Sequence, residues 1–107
     1  MYQEQVSGTT NIVNNSIYGV GGNPTSGDFT SGILVSNVTG STTNIYYNSV
    51  SMTGTFTGGT DRIYGIAIGT GDFPVNVKNN VVLNTQVNGT GVSSGIVAGY
   101  ATFANLA

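Results

Sequence analysis

The heptad NIVNNSI at residues 11–17 recurs as NIYYNSV at 44–50 and as NVKNNVV at 76–82, at offsets of 33 and then 32 residues. A repeat of this length is typical of architectures in which each unit buries its apolar face only against its neighbours. A second motif keeps phase with the first: SGILV at 31–35, YGIAI at 64–68 and SGIVA at 94–98, with glycines at 32, 65 and 95. Two motifs that recur in step, the second at offsets of 33 and 30 residues, point to a stack of like units, each holding three short strands.

Side chains alternate between the two faces of a strand. Ile33 with Val35, Ile66 with Ile68, and Ile96 with Ala98 therefore form one inward set. Ile12, Ile45 and Val77 form a second, and Ile17, Val50 and Val82 a third. The third set follows the second by five residues, an odd offset that alternation alone would turn outward. A corner between them restores the inward direction. It falls at Asn14-Asn15, Tyr47-Asn48 and Asn79-Asn80, and asparagine is among the few residues other than glycine that accept the left-handed backbone of such a corner.

Units of 32 or 33 residues that turn corners between short strands close into a parallel β-helix. The expected fold is an all-β solenoid, a single domain over residues 1–107 with coils at about 1–31, 32–64 and 65–107. Successive coils lie about 4.8 Å apart. Asn15, Asn48 and Asn80 then stack into a ladder of side-chain amides, and Asn11, Asn44 and Asn76 into a second row. An antiparallel sandwich also uses short alternating strands, but nothing in a sandwich requires like corners at a fixed period.

Composition narrows the function. Charged residues make up 6% of the chain, two basic against four acidic, which leaves no basic footprint for nucleic acid. With neither cysteine nor histidine, the chain lacks disulfides, the usual zinc ligands and the usual catalytic triads. No cofactor is expected. No apolar run reaches a membrane span, and MYQEQVSGTT does not read as a signal peptide, so export would need a signal upstream.

The runs NIYYNSVSMTGT (44–55), NVKNNVVLNTQVNGTG (76–91) and SSGIVAGYA (93–101) resemble right-handed parallel β-helix repeats. Such repeats occur in large secreted and cell-surface proteins of environmental bacteria of the Bacteroidetes and Ignavibacteria type. The resemblance covers about Thr9 to Tyr100 and implies an extracellular or cell-surface setting. The same coil pattern serves lyases, glycoside hydrolases, tailspikes, adhesins and inert stalks, so it specifies fold more than function. This chain holds about three coils, where proteins of this type hold many more. The coils at its ends would expose unpaired strand edges, so the chain is expected to continue in a longer protein or to stack end to end on other copies.

A few residues carry chemical possibilities. Asp28 and Asp61 each precede a repeat glycine by four positions, so they occupy equivalent places on adjacent coils. A carboxylate pair of that kind serves glycoside hydrolysis when its separation is about 5 to 9.5 Å. The competing reading is a pair of loop aspartates that close local turns. Arg62 could meet an acidic sugar, and Tyr46, in one solvent-facing column with Val13 and Lys78, could stack on a sugar ring. Thr10 and Thr43 stack in the manner of an ice-binding row, which Val75 interrupts. The leading expectation is a structural, non-enzymatic extracellular module: a stalk, surface layer or self-stacking filament. The alternative is a segment of a carbohydrate-active protein that uses Asp28 and Asp61, with a polysaccharide as partner.

Overall fold

A computed structural model of the chain describes residues 1–4, 7–24, 29–36, 39–69 and 73–98. Among these residues the chain is all strand and turn, with no helix. The strands are β1 (Tyr2–Glu4), β2 (Thr9–Val13), β3 (Ser16–Val20), β4 (Phe29–Ser36), β5 (Thr42–Tyr46), β6 (Ser49–Met52), β7 (Thr55–Phe56), β8 (Arg62–Ile68), β9 (Val75–Lys78), β10 (Val81–Asn84), β11 (Val87–Asn88) and β12 (Ser93–Ala98). All the pairings are parallel. They build a first sheet ordered β1-β4-β8-β12, a second ordered β2-β5-β9, a third ordered β3-β6-β10 and a short pair, β7-β11.

The chain visits the first, second and third sheets in that order and then begins again. Each strand therefore pairs with the strand one repeat further on. Ile12 faces Ile45 and Ile45 faces Val77 in the second sheet. Ile17, Val50 and Val82 align in the third, and Ile33, Ile66 and Ile96 in the first. Parallel neighbours need a long crossover, and here the strands of the other two sheets supply it. The arrangement is compatible with a β-helix-like winding.

The core lies between the three sheets. Ile12, Ile33, Val35, Ile45, Val50, Ile66 and Ile68 are all buried there, as the alternation predicts. Val77, Ile17 and Val82 are partly buried against them. Ile96 departs from expectation and stays 47% exposed, because among the described residues β12 is an outer strand of its sheet and has a strand neighbour on one side only. The side chain of Ala98 lies outside those described. The expected boundaries after residues 31 and 64 fall inside β4 and β8, and the β7-β11 pair adds a fourth short element to the expected three.

The repeat glycines mark the place where the first sheet changes parity. Ile63 and Ile66 are three residues apart, yet both are wholly buried, which simple alternation forbids. Pairing runs Ser31 with Tyr64 before the glycines and Ile33 with Ile66 after them. A methyl group on Gly65 would collide with Val82 Cγ1 and stand 2.7 Å from the Gly95 carbonyl oxygen. One on Gly32 would collide with Val50 Cγ1. The third sheet thus packs directly on bare backbone of the first, Val50 against Gly32 and Val82 against Gly65, which is why glycine and the heptad valine recur together.

Candidate functional site

The most built part of the molecule is the corner between the second and third sheets. Asn14, Tyr47 and Asn79 have φ of 57°, 56° and 55°, the left-handed conformation, in the first residue of each expected corner. The following residue of each corner turns its amide along the stack. The Asn15 backbone N–H and its Nδ2 both donate to Asn48 Oδ1, at 3.0 and 2.9 Å. The Asn48 N–H and Nδ2 donate in the same way to Asn80 Oδ1, both at 2.9 Å. A backbone N–H can only donate, so these contacts fix which amide atom is oxygen.

The second hydrogen on each of these amides ties the corner to the pass before it. Asn48 Nδ2 also donates to the Ile12 carbonyl at 2.9 Å, and Asn80 Nδ2 to the Ile45 carbonyl at 2.7 Å. Asn48 is 1% exposed, so every one of its polar atoms must find such a partner. Backbone bonds complete the corner: Asn14 N–H to the Tyr46 carbonyl, Tyr47 N–H to the Lys78 carbonyl, Ser49 N–H to the Asn15 carbonyl and Val81 N–H to the Asn48 carbonyl.

The second asparagine row lies on the outer face of the second sheet. Asn76 Nδ2 donates to Asn44 Oδ1 at 2.8 Å, and Asn44 Nδ2 donates to Asn11 Oδ1 at 2.7 Å. Tyr46 belongs to this row rather than to open solvent. It is half-buried, and its hydroxyl donates to Asn44 Oδ1 at 3.1 Å. Its ring meets that of the exposed Tyr47 edge-on, with centroids 6.4 Å apart. Val13 and Lys78, its column partners, are exposed as expected.

The carbohydrate candidates are only partly placed. Asp28 lies outside the described residues, so its spacing from Asp61 is not defined. Asp61 is half-buried, and its Oδ1 accepts the backbone N–H of Arg62 at 2.9 Å, a local turn contact. Arg62 opens β8 on the exposed side, in register with Phe29. Phe29 and Tyr64 pack their rings 5.8 Å apart, an aromatic pair that sequence reasoning did not single out. Thr43 is fully buried and Thr10 partly so, in register with buried Val75. That column faces the core, which removes the ice-binding reading.

Sequence reasoning also missed Gln86, which is 3% exposed. Its Nε2 donates to the carbonyl of Gly22, 64 residues away, while among the described residues its buried Oε1 has no hydrogen-bond partner. A glutamine after β10 has no counterpart in the other units, so periodicity gave no signal for it. Among the described residues no group of three carboxylate, histidine or cysteine side chains could hold a metal ion. Among the described residues no helix is long and apolar enough to cross a membrane.

Comparison with protein-family models, curated proteins and solved structures finds no match. The class is therefore defined by geometry alone: an all-β chain of parallel sheets whose repeated corners are joined by asparagine side chains. Neutral amides neither take up nor release protons near neutral pH. What the corner does chemically is fasten one pass of chain to the next.

Proposed function

We propose that the chain is a stack of about three coils of a parallel β-helix and that it serves as a non-catalytic structural module at an extracellular surface. The observation that carries this reading is the Asn15-Asn48-Asn80 row, in which the same backbone and side-chain donors meet the same acceptor at each step. A row of that kind links coils and offers no group for bond-breaking. The low charge and the absence of cysteine and histidine agree with a role that rests on shape and cohesion. The extracellular setting rests on the resemblance to secreted and surface β-helix repeats.

Antibody labelling of intact and permeabilised cells that produce the protein tests the location. Labelling of intact cells is expected, and labelling only after permeabilisation overturns it. Incubation with a panel of polysaccharides tests the absence of catalysis. No new reducing ends or unsaturated products are expected, and sustained release of either would overturn the structural reading in favour of a carbohydrate-active one.

A further inference from the structure

Gly95 keeps the letter of the repeat without the contact that explains it. A methyl on Gly32 would collide with Val50 Cγ1 and stand 2.9 Å from the Gly65 carbonyl oxygen, and one on Gly65 would collide with Val82 Cγ1 and stand 2.7 Å from the Gly95 carbonyl oxygen. In each case the obstacles are the heptad valine of the same pass and the glycine of the next. A methyl on Gly95 would meet only Val82 Cγ1, at 3.9 Å, and the φ of Gly95 is not in the left-handed range. Its neighbour Ile96 is 47% exposed, where Ile33 and Ile66 are wholly buried. β12 is thus shaped for one more pass of chain, which the described residues do not supply.

The other end of the same sheet carries a strand that fits less well. β8 pairs with β4 from Phe29 to Val35, whereas β1 pairs with it only from Leu34 to Ser36. Before Leu34 that side of β4 has no strand neighbour among the described residues, although the Met1 ammonium donates to the Gly32 carbonyl at 2.7 Å. Met1 and Tyr2 are both more than half exposed. β1 also makes the sheets unequal, four strands in the first against three in the second and three in the third. Without β1, each of these sheets has three.

We infer that β1 is a displaceable strand and that β12 of a second copy takes its place on β4. This rests on the stacked winding proposed above. Registers within the chain fix the fit: Ser31 faces Tyr64 and Tyr64 faces Ser94, so Ser94 of the incoming copy faces Ser31. By the same steps Ile96 faces Ile33, and Val97 faces Leu34, where Tyr2 stood. A strand of six residues replaces one of three. Gly95 then meets the Gly32 carbonyl and Ile17, the residue aligned with Val50 and Val82, and Ile96 is covered on its open side. With β1 displaced each copy adds three strands to each of the three sheets, so β2 and β3 land on β9 and β10 with no strand overlaid on another. Because β12 and β4 are unlike edges, the exchange repeats from copy to copy, and the copy at one end keeps its β1 as a cover.

A disulfide that pins β1 tests the exchange, since the chain has no cysteine of its own. Tyr2 and Leu34 are neighbours in register and within disulfide reach, so a Tyr2→Cys/Leu34→Cys variant oxidised at high dilution holds β1 on β4. In sedimentation the average mass of the unmodified protein should rise with concentration. The oxidised variant should stay monomeric, and reduction should restore its association. Gly95→Ala makes an ordinary contact in the single chain, so its thermal midpoint should match the parent while the concentration for half-association rises about tenfold. Under mild oxidation a mixture of Ser31→Cys and Ser94→Cys proteins should give a heterodimer, and neither should link to itself. The in-chain control is S31C/Y64C, which should close within one chain.

Association that persists with β1 pinned overturns the exchange, as does a Gly95→Ala protein that associates like its parent. Self-linking of S94C as readily as linking to S31C overturns the register. A monomer at every concentration, with a control that closes, overturns the exchange and leaves the winding intact. A control that fails to close overturns the winding, and the exchange with it.

Discussion

Asn48 accepts both the backbone N–H and the side-chain Nδ2 of Asn15 on one oxygen, while its own N–H and Nδ2 repeat the contact on Asn80. It is the one corner asparagine of the three with a like residue on both sides. An Asn48→Ala change takes the acceptor from the Asn15 N–H and Nδ2 and the Nδ2 donor from the Ile12 carbonyl, in a site that is 1% exposed, while the backbone N–H of residue 48 still reaches Asn80 Oδ1. A buried group left unpaired costs about 1–3 kcal/mol, so the expected loss is about 2–4 kcal/mol after partial rescue by water. Asn15→Ala, half-buried and at the outer step, should cost about 1 kcal/mol. Urea unfolding of the two variants checks the order, and equal losses would mean that the row is not the fastening it is taken for.

Tyr47 holds a left-handed φ of 56° where the other two corners use asparagine. An ordinary side chain in that conformation carries a penalty of about 1–2 kcal/mol, which asparagine largely avoids. The change to asparagine gives up an exposed edge-on contact with Tyr46, worth about 0.5 kcal/mol at such a site. Tyr47→Asn is therefore expected to stabilise by about 0.5–1 kcal/mol, while a β-branched Tyr47→Val should destabilise by about 1 kcal/mol or more. Thermal midpoints of the two variants should fall on opposite sides of the unmodified protein.

The corners were legible in the sequence because three independent constraints fall on the same letters: the odd offset between inward sets, the tolerance of asparagine for positive φ, and the repeat period. The in-phase glycines were legible as a motif, but their cause was not. Only the third sheet, brought against Gly32 and Gly65, shows that a side chain there has no room. Thr43 misled because threonine reads as surface, whereas here it stands in an inward column with Ile45 and Val75. Phe73, Met52 and Ile63 are wholly buried yet belong to no repeated motif, so a reading built on periodicity passes over them. Of the candidate carboxylates only Asp61 is described, in a local contact with the Arg62 backbone.

Gly65 and Gly95 occupy the same place in successive units but should respond differently to alanine. A methyl on Gly65 meets Val82 Cγ1 and, at 2.7 Å, the Gly95 carbonyl oxygen, whereas one on Gly95 meets only Val82 Cγ1 at 3.9 Å, an ordinary contact. Overpacking of this kind costs about 1–3 kcal/mol, so Gly65→Ala is expected in that range and Gly95→Ala within about 0.5 kcal/mol of the parent. Val82→Ala removes one of the two obstacles at Gly65. The double variant G65A/V82A should then be more stable than the sum of the single changes predicts, by about 1 kcal/mol. Additive losses in that cycle would place the strain elsewhere than the contact between the first and third sheets.

Gln86 spans the interior from the segment after β10 to the Gly22 carbonyl, a reach across two repeats, with its Oε1 buried and, among the described residues, without a donor. Its contribution is therefore divided: one hydrogen bond gained, one acceptor left without a donor. Gln86→Met preserves the length and fills the same space. It loses the bond to Gly22 but relieves the stranded oxygen, for an expected net cost of no more than about 1 kcal/mol. Gln86→Glu keeps the shape, removes the donor and places a carboxylate beside the Gly22 carbonyl in a site 3% exposed, which should cost about 3 kcal/mol or more at neutral pH. Denaturant midpoints for the pair distinguish a polar clasp from simple filling of space. If methionine proves as costly as glutamate, the bond to Gly22 is what holds the first pass to the third.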